Sequence, residues 1–233
     1  MANITNIQND DILHMLCDMW GPLTETQCNT LKSSMSVEQF KKNEIIFRED
    51  DTPNWMMCLI TGKVKVYKDG VGHYQIIRAV KPIELFGYRA FFAHEPYKAS
   101  AMALETSTIA MIPLHLVEQF MRENPSISIY LIRNLAKMLG DSDTRLVNLT
   151  QKHIRGRLAE SLLFLKENYG VEGDGSTLSV FLSREDLANL SNMTTSNAIR
   201  TLSAFASEKL VAIDGRRIKI VQEDELRRIS SMG

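Results

Sequence analysis

The pattern of apolar and polar positions predicts short strands in the first half of the chain. From about residue 40, alternating segments are separated by turn residues, which is typical of antiparallel strands. Between two of these segments lies Asp69–Gly72, where glycines supply the positive φ angles that a hairpin needs. We therefore predict a compact antiparallel β-roll. The clearest predicted strands are Ile45–Phe47, Lys63–Tyr67, Tyr74–Arg78 and Thr108–Ile112.

A helical pattern follows, from Pro125 to about Asn168. Its apolar residues step by three and four, the rhythm of a coiled-coil seam, and a long seam usually packs against an identical partner. A second apolar edge at Ile129, Leu131 and Met138 is expected to face the roll of the same chain. We predict a homodimer; packing of the seam on its own roll is the alternative. The predicted dimer interface consists of Ile132, Leu135, Leu139, Ser142, Leu146 and Leu149.

Two short helices with capping signals follow the loop at residues 171–176 and a strand-like segment at residues 177–181. Ser183 and Asp186 form a capping box in which the carboxylate reaches back, and Asn192 is expected to end the first helix in a left-handed conformation. Thr194 caps the second helix. Its inner face is formed by Ala198, Leu202 and Phe205, and its outer strip by Thr195, Ser196, Ile199, Arg200 and Ser203.

A basic hairpin comes directly after these helices. Val211–Ile213 and Arg217–Val221 flank Asp214 and Gly215, a strong hairpin signal. Residues 195–220 carry five basic and two acidic side chains, although the whole chain has a net charge of −1. Helix, turn, helix and basic hairpin in this order predict a winged helix-turn-helix that binds double-stranded DNA. The candidate DNA-binding residues are Ser183, Thr194, Thr195, Ser196, Asn197, Arg200, Ser203, Arg216 and Arg217.

Length and composition fit a globular α+β protein. With 233 residues, 44% hydrophobic and 24% charged, the chain can form two modest domains. We predict a β-roll over residues 1–124, a dimerisation helix over 125–150 and the winged helix-turn-helix over 151–233. No run of about 18 apolar residues occurs and the N-terminus carries acids, so we expect a cytoplasmic protein without membrane contact.

With these pieces in place, the chain resembles the CRP/FNR superfamily of bacterial transcription regulators from about residue 20 to residue 222. The resemblance implies a cyclic-nucleotide-binding-like roll that senses an effector, and two DNA-binding domains that reorient onto a palindromic site. It implies RNA polymerase as the partner if the protein is an activator. The segments that carry it are Ile45–Asp50, Leu59–Val66, Leu85–Gly87, Asn148–Leu149, Gly156–Leu163 and Leu182–Ala188.

By the same resemblance, Thr195, Ser196 and Arg200 occupy the three principal base-reading positions. Members that bind the promoter sites of the cAMP-dependent regulators carry Arg, Glu and Arg there. Only the last of these is retained, so the DNA sequence that this chain binds should differ. Operator, target genes and the choice between activation and repression stay open.

The effector pocket is also placed by resemblance. In members that bind cyclic nucleotides, a glutamate binds the ribose hydroxyl and an Arg-Ser pair binds the phosphate; Tyr88, Lys98 and Ala99 stand at those positions. The carboxylate acceptor is lost, and Lys lacks the planar fork of Arg. We therefore expect cAMP to bind weakly or not at all, and the effector is unknown. The candidate pocket residues are Phe86, Gly87, Tyr88, Arg89, Lys98, Ala99, Ser142 and Asp143.

Metal and cofactor sites have little support in the sequence. Cys17, Cys28 and Cys58 fit neither a disulfide framework nor a paired metal site, and Cys58 lies in an apolar run that predicts a buried thiol. The iron-sulfur branch of the family needs four cysteines, three of them clustered near the N-terminus. Haem stays open, although a lone histidine is more often a surface residue. The available axial ligands are His14, His73, His94, His115 and Cys17.

Two alternatives belong to other functional classes. Residues 140–143 (Gly-Asp-Ser-Asp) resemble an esterase nucleophile block, and residues 11–14 resemble the Asp-x-x-His of the same enzymes. Their order is reversed, and Ser142 lies inside a predicted helix rather than after a strand, so we expect no catalytic site. The second alternative is a ligand-binding regulatory subunit in which residues 151–233 bind something other than DNA.

Overall fold

Residues 8–232 are described by a computed structural model, and their contacts divide them into two units. The first unit comprises residues 8–64 and Val80–Gly140, and the second comprises Lys65–Ala79 and the residues from Asp141 onward. The segment 65–79 thus groups with the C-terminal part of the chain. Residues 1–7 and Gly233, which the predicted domains 1–124 and 151–233 include, lie outside the described residues.

The first unit begins with two helices that the apolar pattern did not predict, α1 (Asn9–Trp20) and α2 (Glu25–Ser34). Helix α1 buries Ile12, Leu16 and Trp20, which stand four residues apart and therefore share one face. Helix α2 starts with a capping box, in which Thr24 and Gln27 exchange bonds between side chain and backbone.

Antiparallel strands follow, and the predicted β-roll is confirmed. The strands are β1 (Ser36–Phe40), β2 (Ile45–Phe47), β3 (Trp55–Thr61), β4 (Val64–Asp69), β5 (Tyr74–Val80), β6 (Glu84–Phe86), β7 (Ser100–Ala103) and β8 (Ser107–Pro113). Strands β1, β8, β3 and β6 form one sheet in that order, β2 pairs with β7, and β4 and β5 are neighbours joined by the predicted glycine hairpin. The predicted strands agree with the observed ones to within two residues at each end.

The core of the first unit lies between this sheet and the helices. Met56, Cys58 and Ile60 of β3 point into it, together with the buried face of α1. Burial raises the pKa of the Cys58 thiol to about 12, which agrees with the predicted buried cysteine. The short helix α3 (Arg89–Phe92) follows β6, and α4 (Leu114–Glu123) follows β8.

The predicted long helical region consists of α5 (Pro125–Gln151) and α6 (Ile154–Tyr169), separated at residues 152–153. The predicted boundaries after residues 124 and 150 lie at the ends of α5, whereas the division between the two units falls inside it. Leu131 is buried as expected, but Ile129 is 49% exposed, so its assignment to the inner edge was wrong. Ile129 lies two residues from both Ile127 and Leu131, which places it on the opposite side of the helix.

The second unit continues with the elements of the predicted winged helix-turn-helix. Leu158, Leu187, Leu202 and Phe205 are among its buried core residues. The strand-like segment at residues 177–181 forms only isolated bridges, so the strand prediction was wrong there. The elements after α6 are α7 (Arg184–Leu190), α8 (Thr195–Ser207), β9 (Val211–Asp214), β10 (Arg217–Ile220) and α9 (Glu223–Met232).

Candidate nucleic-acid interface

The first helix of the motif, α7, is capped as predicted. The Ser183 hydroxyl accepts a hydrogen bond from the Asp186 amide at 2.9 Å. The Asp186 carboxylate reaches back to the Ser183 hydroxyl, which donates to its Oδ2 at 2.7 Å, and not to the Ser183 backbone amide, so the second half of the predicted capping box was wrong. One hydroxyl therefore satisfies both an orphan amide of the helix and a carboxylate.

The turn between the two helices has the predicted left-handed asparagine. Asn192 has a φ of 49°, and its carbonyl accepts a hydrogen bond from Arg157 Nη1 at 2.8 Å. The preceding Ser191 is fully buried, and its hydroxyl donates to Ser161 at 2.8 Å. The turn is thus anchored to α6, which fixes where the next helix begins.

The second helix, α8, separates an apolar face from a polar face as predicted. Thr194 caps it by accepting from the Asn197 amide at 3.2 Å. The predicted inner residues are buried. Asn197 is half-buried, and its Oδ1 accepts from Arg200 Nη2 at 2.8 Å, which holds the guanidinium against the helix surface. The predicted outer strip is exposed at all five positions: Thr195, Ser196, Ile199, Arg200 and Ser203.

The basic hairpin pairs Asp214 with Arg217, and Gly215 in its turn has a φ of 56°. Arg184 of α7 donates to the Gly215 carbonyl at 2.7 Å, which attaches the turn to the first helix of the motif. Arg216 and Arg217 are exposed. The hairpin therefore presents two cations next to a turn that α7 holds in place.

Helix α8 is also fixed at its far end. Arg155 of α6 forms a bidentate pair with Glu208 at 2.8 and 2.7 Å, and its guanidinium lies 4.9 Å from the centre of the Phe205 ring. Bidentate pairs with this fork geometry define orientation as well as distance. The exposed strip of α8 is therefore carried by a helix with both ends bonded.

The β4–β5 hairpin contributes a contact to α7 that the sequence pattern did not predict. Lys65 Nζ lies 2.5 Å from Asp186 Oδ1, and the Tyr74 hydroxyl donates to the same oxygen at 2.7 Å. Both residues lie in strands, where the alternation of apolar and polar residues predicts only which face of the sheet a side chain is on and not its partner. The partner carboxylate is more than a hundred residues away in the chain.

The candidate effector residues of the roll differ in exposure. Phe86, Tyr88 and Ala99 are buried, whereas Arg89 and Lys98 are exposed. Lys98 pairs with Glu95 at 3.5 Å. Gly87 has a φ of 83° and lies against the Met57 side chain, and Phe47 stacks on Tyr97 with ring centres 4.0 Å apart. Ser142 and Asp143 are exposed positions of α5 in the second unit.

The predicted dimer seam is exposed where the heptad places it. Ile132, Leu139 and Leu146 are seven residues apart and 63–64% exposed, while Leu135 and Leu149 are half-buried.

Among the haem-ligand candidates, the four histidines are exposed and Cys17 is half-buried. Over residues 8–232 no group of three or more His, Cys, Asp or Glu is arranged to hold a metal ion, and no helix is long and apolar enough to cross a membrane.

Two family models match the chain. Residues 37–124 match the cyclic nucleotide-binding domain, and residues 156–229 match the Crp-like helix-turn-helix domain. A CRP-like cAMP-activated global transcriptional regulator of Mycobacterium tuberculosis is 24% identical over 85% of this chain and 89% of its own length. The transcriptional activator protein anr of Pseudomonas aeruginosa is 24% identical over 80% of this chain and 77% of its own.

Solved structures share the fold. FixK2 from Bradyrhizobium japonicum has a TM-score of 0.75 at 20% sequence identity, over 84% of this chain and 96% of that one. A putative regulator of the crp/fnr family from Eubacterium rectale has a TM-score of 0.76 at 16% identity, over 91% and 97% of the two chains.

Proposed function

Because the chain belongs to the CRP/FNR family of transcription regulators, we propose that it binds a palindromic DNA site as a homodimer. The observation that carries this proposal is the exposed strip on α8, together with the exposed cations of the β9–β10 turn. A helix of this kind fits the major groove, and a two-fold symmetric dimer matches a palindrome.

Within this strip we assign base recognition to Arg200, with Thr195 and Ser196 at the neighbouring positions. A bidentate Arg–guanine contact contributes about 1–3 kcal/mol of discrimination between bases. Asn197 supports this role, because its carboxamide oxygen holds the guanidinium at 2.8 Å. Arg216 and Arg217 would contact phosphates, which position the protein without reading sequence.

The seam of α5 supports the homodimer. Large apolar side chains that are two-thirds exposed at heptad spacing are costly in water and are typical of a coiled-coil interface. The interface of a two-fold dimer is self-complementary, so the same residues of both copies meet. Ser142, the polar position of the seam, is exposed as well.

For the roll we propose an effector other than cAMP. Tyr88 is 1% exposed within the apolar core, and Lys98 is directed to solvent and pairs with Glu95. Neither side chain offers the carboxylate and the guanidinium that the cyclic-nucleotide members use. Isothermal titration calorimetry of the full chain with cAMP should give no micromolar binding, and a micromolar dissociation constant would contradict this part of the proposal.

DNA binding is tested by selecting duplexes from a random-sequence library with the full-length chain, followed by gel shifts at fixed salt. A palindromic consensus is expected, and Arg200→Ala should lower affinity for the selected duplex at least about tenfold. Arg228→Ala, which removes an exposed arginine paired with Glu225 on α9, is the matched control and should leave affinity unchanged. Selection of no sequence by the wild type would overturn the proposal.

The remaining assignments follow from DNA binding. We place the protein in the bacterial cytoplasm, with RNA polymerase as its partner if it activates transcription. Ser142 lies in the middle of α5 rather than after a strand, so we assign it to the helix seam and propose no catalytic role for it.

A further inference from the structure

Strand β4 carries a lysine that is almost completely buried. Lys65 is 6% exposed, and lysine is rarely buried unless it is paired. Its Nζ lies 2.5 Å from Asp186 Oδ1, donates to the Tyr74 hydroxyl at 3.1 Å and lies 4.5 Å from the centre of the Tyr74 ring. The β4–β5 hairpin thus brings a buried cation to the first helix of the DNA-binding motif.

The Asp186 carboxylate is the shared acceptor of this cluster. Its Oδ1 accepts from Lys65 and Tyr74, and its Oδ2 accepts from Ser183, which caps α7. Burial disfavours the charged carboxylate, but the hydrogen bonds from Lys65 and Ser183 outweigh it and lower the pKa of Asp186. The pair is therefore ionised at neutral pH, and the hairpin is bonded to the cap of α7.

The other end of α7 is bonded to the same hairpin. Arg145 Nη2 donates to the Ile76 carbonyl of β5 at 2.6 Å and to the Leu190 carbonyl at 3.1 Å. Leu190 is the last residue of α7, and Gln75 donates to its carbonyl at 3.4 Å. Helix α7 is thus held near both ends, while the outer strip of α8 stays exposed.

We infer that Lys65 and Tyr74 are positioning residues for DNA binding. They contact no DNA; they fix α7, and through the Asn192 turn they fix α8. Desolvation offsets much of the attraction in a buried ion pair, so we assign this pair to fixing one orientation rather than to adding net stability. Without the cluster, the two recognition helices of a dimer would match the half-site spacing for only part of the time. The apparent affinity for the palindrome would then fall in proportion to the fraction of dimers that have the matching spacing. The inference rests on the proposed DNA binding.

The test uses full-length variants and the duplex that the wild type selects from the random library. Lys65→Met should weaken binding about tenfold or more, and Tyr74→Phe about threefold. Two matched control variants leave the cluster intact, so their affinities for the duplex should stay within about twofold of the wild-type affinity. Lys63→Met removes a lysine that pairs with Glu105 in the first unit, and Tyr67→Phe retains the ring contact with Tyr74.

Two further readouts separate positioning from general damage. Lys65→Met should bind a duplex with a single half-site as well as the wild type does, because one recognition helix needs no matched spacing. Hydrogen exchange measured by mass spectrometry should rise in residues 65–79 and 184–190 and stay unchanged in α9. Lys65→Arg, which keeps the charge, should recover most of the affinity for the full palindrome.

The outcomes distinguish the two claims. If the wild type selects no sequence, the proposed function fails. If the wild type binds and Lys65→Met binds equally well with unchanged exchange, the positioning inference fails and the proposed function stands. If circular dichroism shows that Lys65→Met is unfolded, the same measurements on Tyr74→Phe decide whether the positioning inference holds. Tyr74→Phe removes only a single hydroxyl, so it leaves the packing of the hairpin in place.

Discussion

Replacing Leu139 by alanine tests the dimer seam quantitatively. Leu139 is 64% exposed in the single chain, and burying a whole leucine side chain contributes about 1.5–3 kcal/mol. Burial of the exposed part in a dimer therefore contributes about 1–2 kcal/mol per subunit. Because a two-fold interface contains the residue twice, Leu139→Ala should cost about 2–4 kcal/mol, which raises the dimer dissociation constant about 30-fold to several hundredfold.

Sedimentation velocity over a range of protein concentrations measures this constant directly. Val71→Ala is the matched control, because Val71 is fully exposed at the tip of the β4–β5 hairpin and removal of its methyl groups should not change association. Affinity of Leu139→Ala for the palindromic duplex should recover once the protein concentration exceeds the new dissociation constant, which a misfolded variant would not do. An unchanged dissociation constant would refute the assignment of α5 as the interface.

Three other predictions concern stability. Gly62→Ala should lower the free energy of unfolding by about 2 kcal/mol or more in urea titrations, because Gly62 has a φ of 95° and a Cβ there would lie 2.6 Å from Ser107 Cα. Gly72→Ala should lower the free energy of unfolding clearly less, because Gly72 has a φ of 79° but a Cβ there would meet no atom within 4 Å. Equal losses for the two variants would contradict the role of the contact between Gly62 and Ser107. Thr194→Ala should destabilise by about 1 kcal/mol and Thr194→Ser by much less, since Ser keeps the cap of α8. For Asp186 the folded-state pKa is lowered, so its contribution is complete above about pH 4 and is lost as the pH falls through the folded-state pKa. The stability advantage of the wild type over Asp186→Asn in chemical unfolding should therefore shrink below about pH 4, and a constant difference at all pH values would argue against an ionised pair.

The DNA-binding motif was predictable because its signals are local. The caps at Ser183 and Thr194 and the left-handed turn at Asn192 depend on residues within four positions along the chain. The two faces of α8 follow from the helical period alone. Each of these features is present where the sequence indicates it.

The contacts that the sequence did not reveal are long-range. A lysine in an alternating strand, such as Lys65, is normally assigned to the solvent side, and nothing near it in the chain indicates Asp186 as its partner. The same holds for Arg145, whose acceptors are backbone carbonyls that any residue type supplies. The prediction for Ile129 was wrong for a different reason. Apolar residues occur on both sides of α5, so the pattern does not decide which side faces the core.

The separation of the bonded face of α7 from the open face of α8 has an evolutionary consequence. Thr195, Ser196 and Ser203 are exposed, so substitutions there should leave the packing of the motif undisturbed and, under the proposed function, change the DNA sequence that is recognised. Lys65 and Asp186, in contrast, are tied to each other, and a change in one leaves a buried charge without its counter-ion. Under the proposed function, variation of this one helix surface would give the chain new target sites, whereas Lys65 and Asp186 would have to change together.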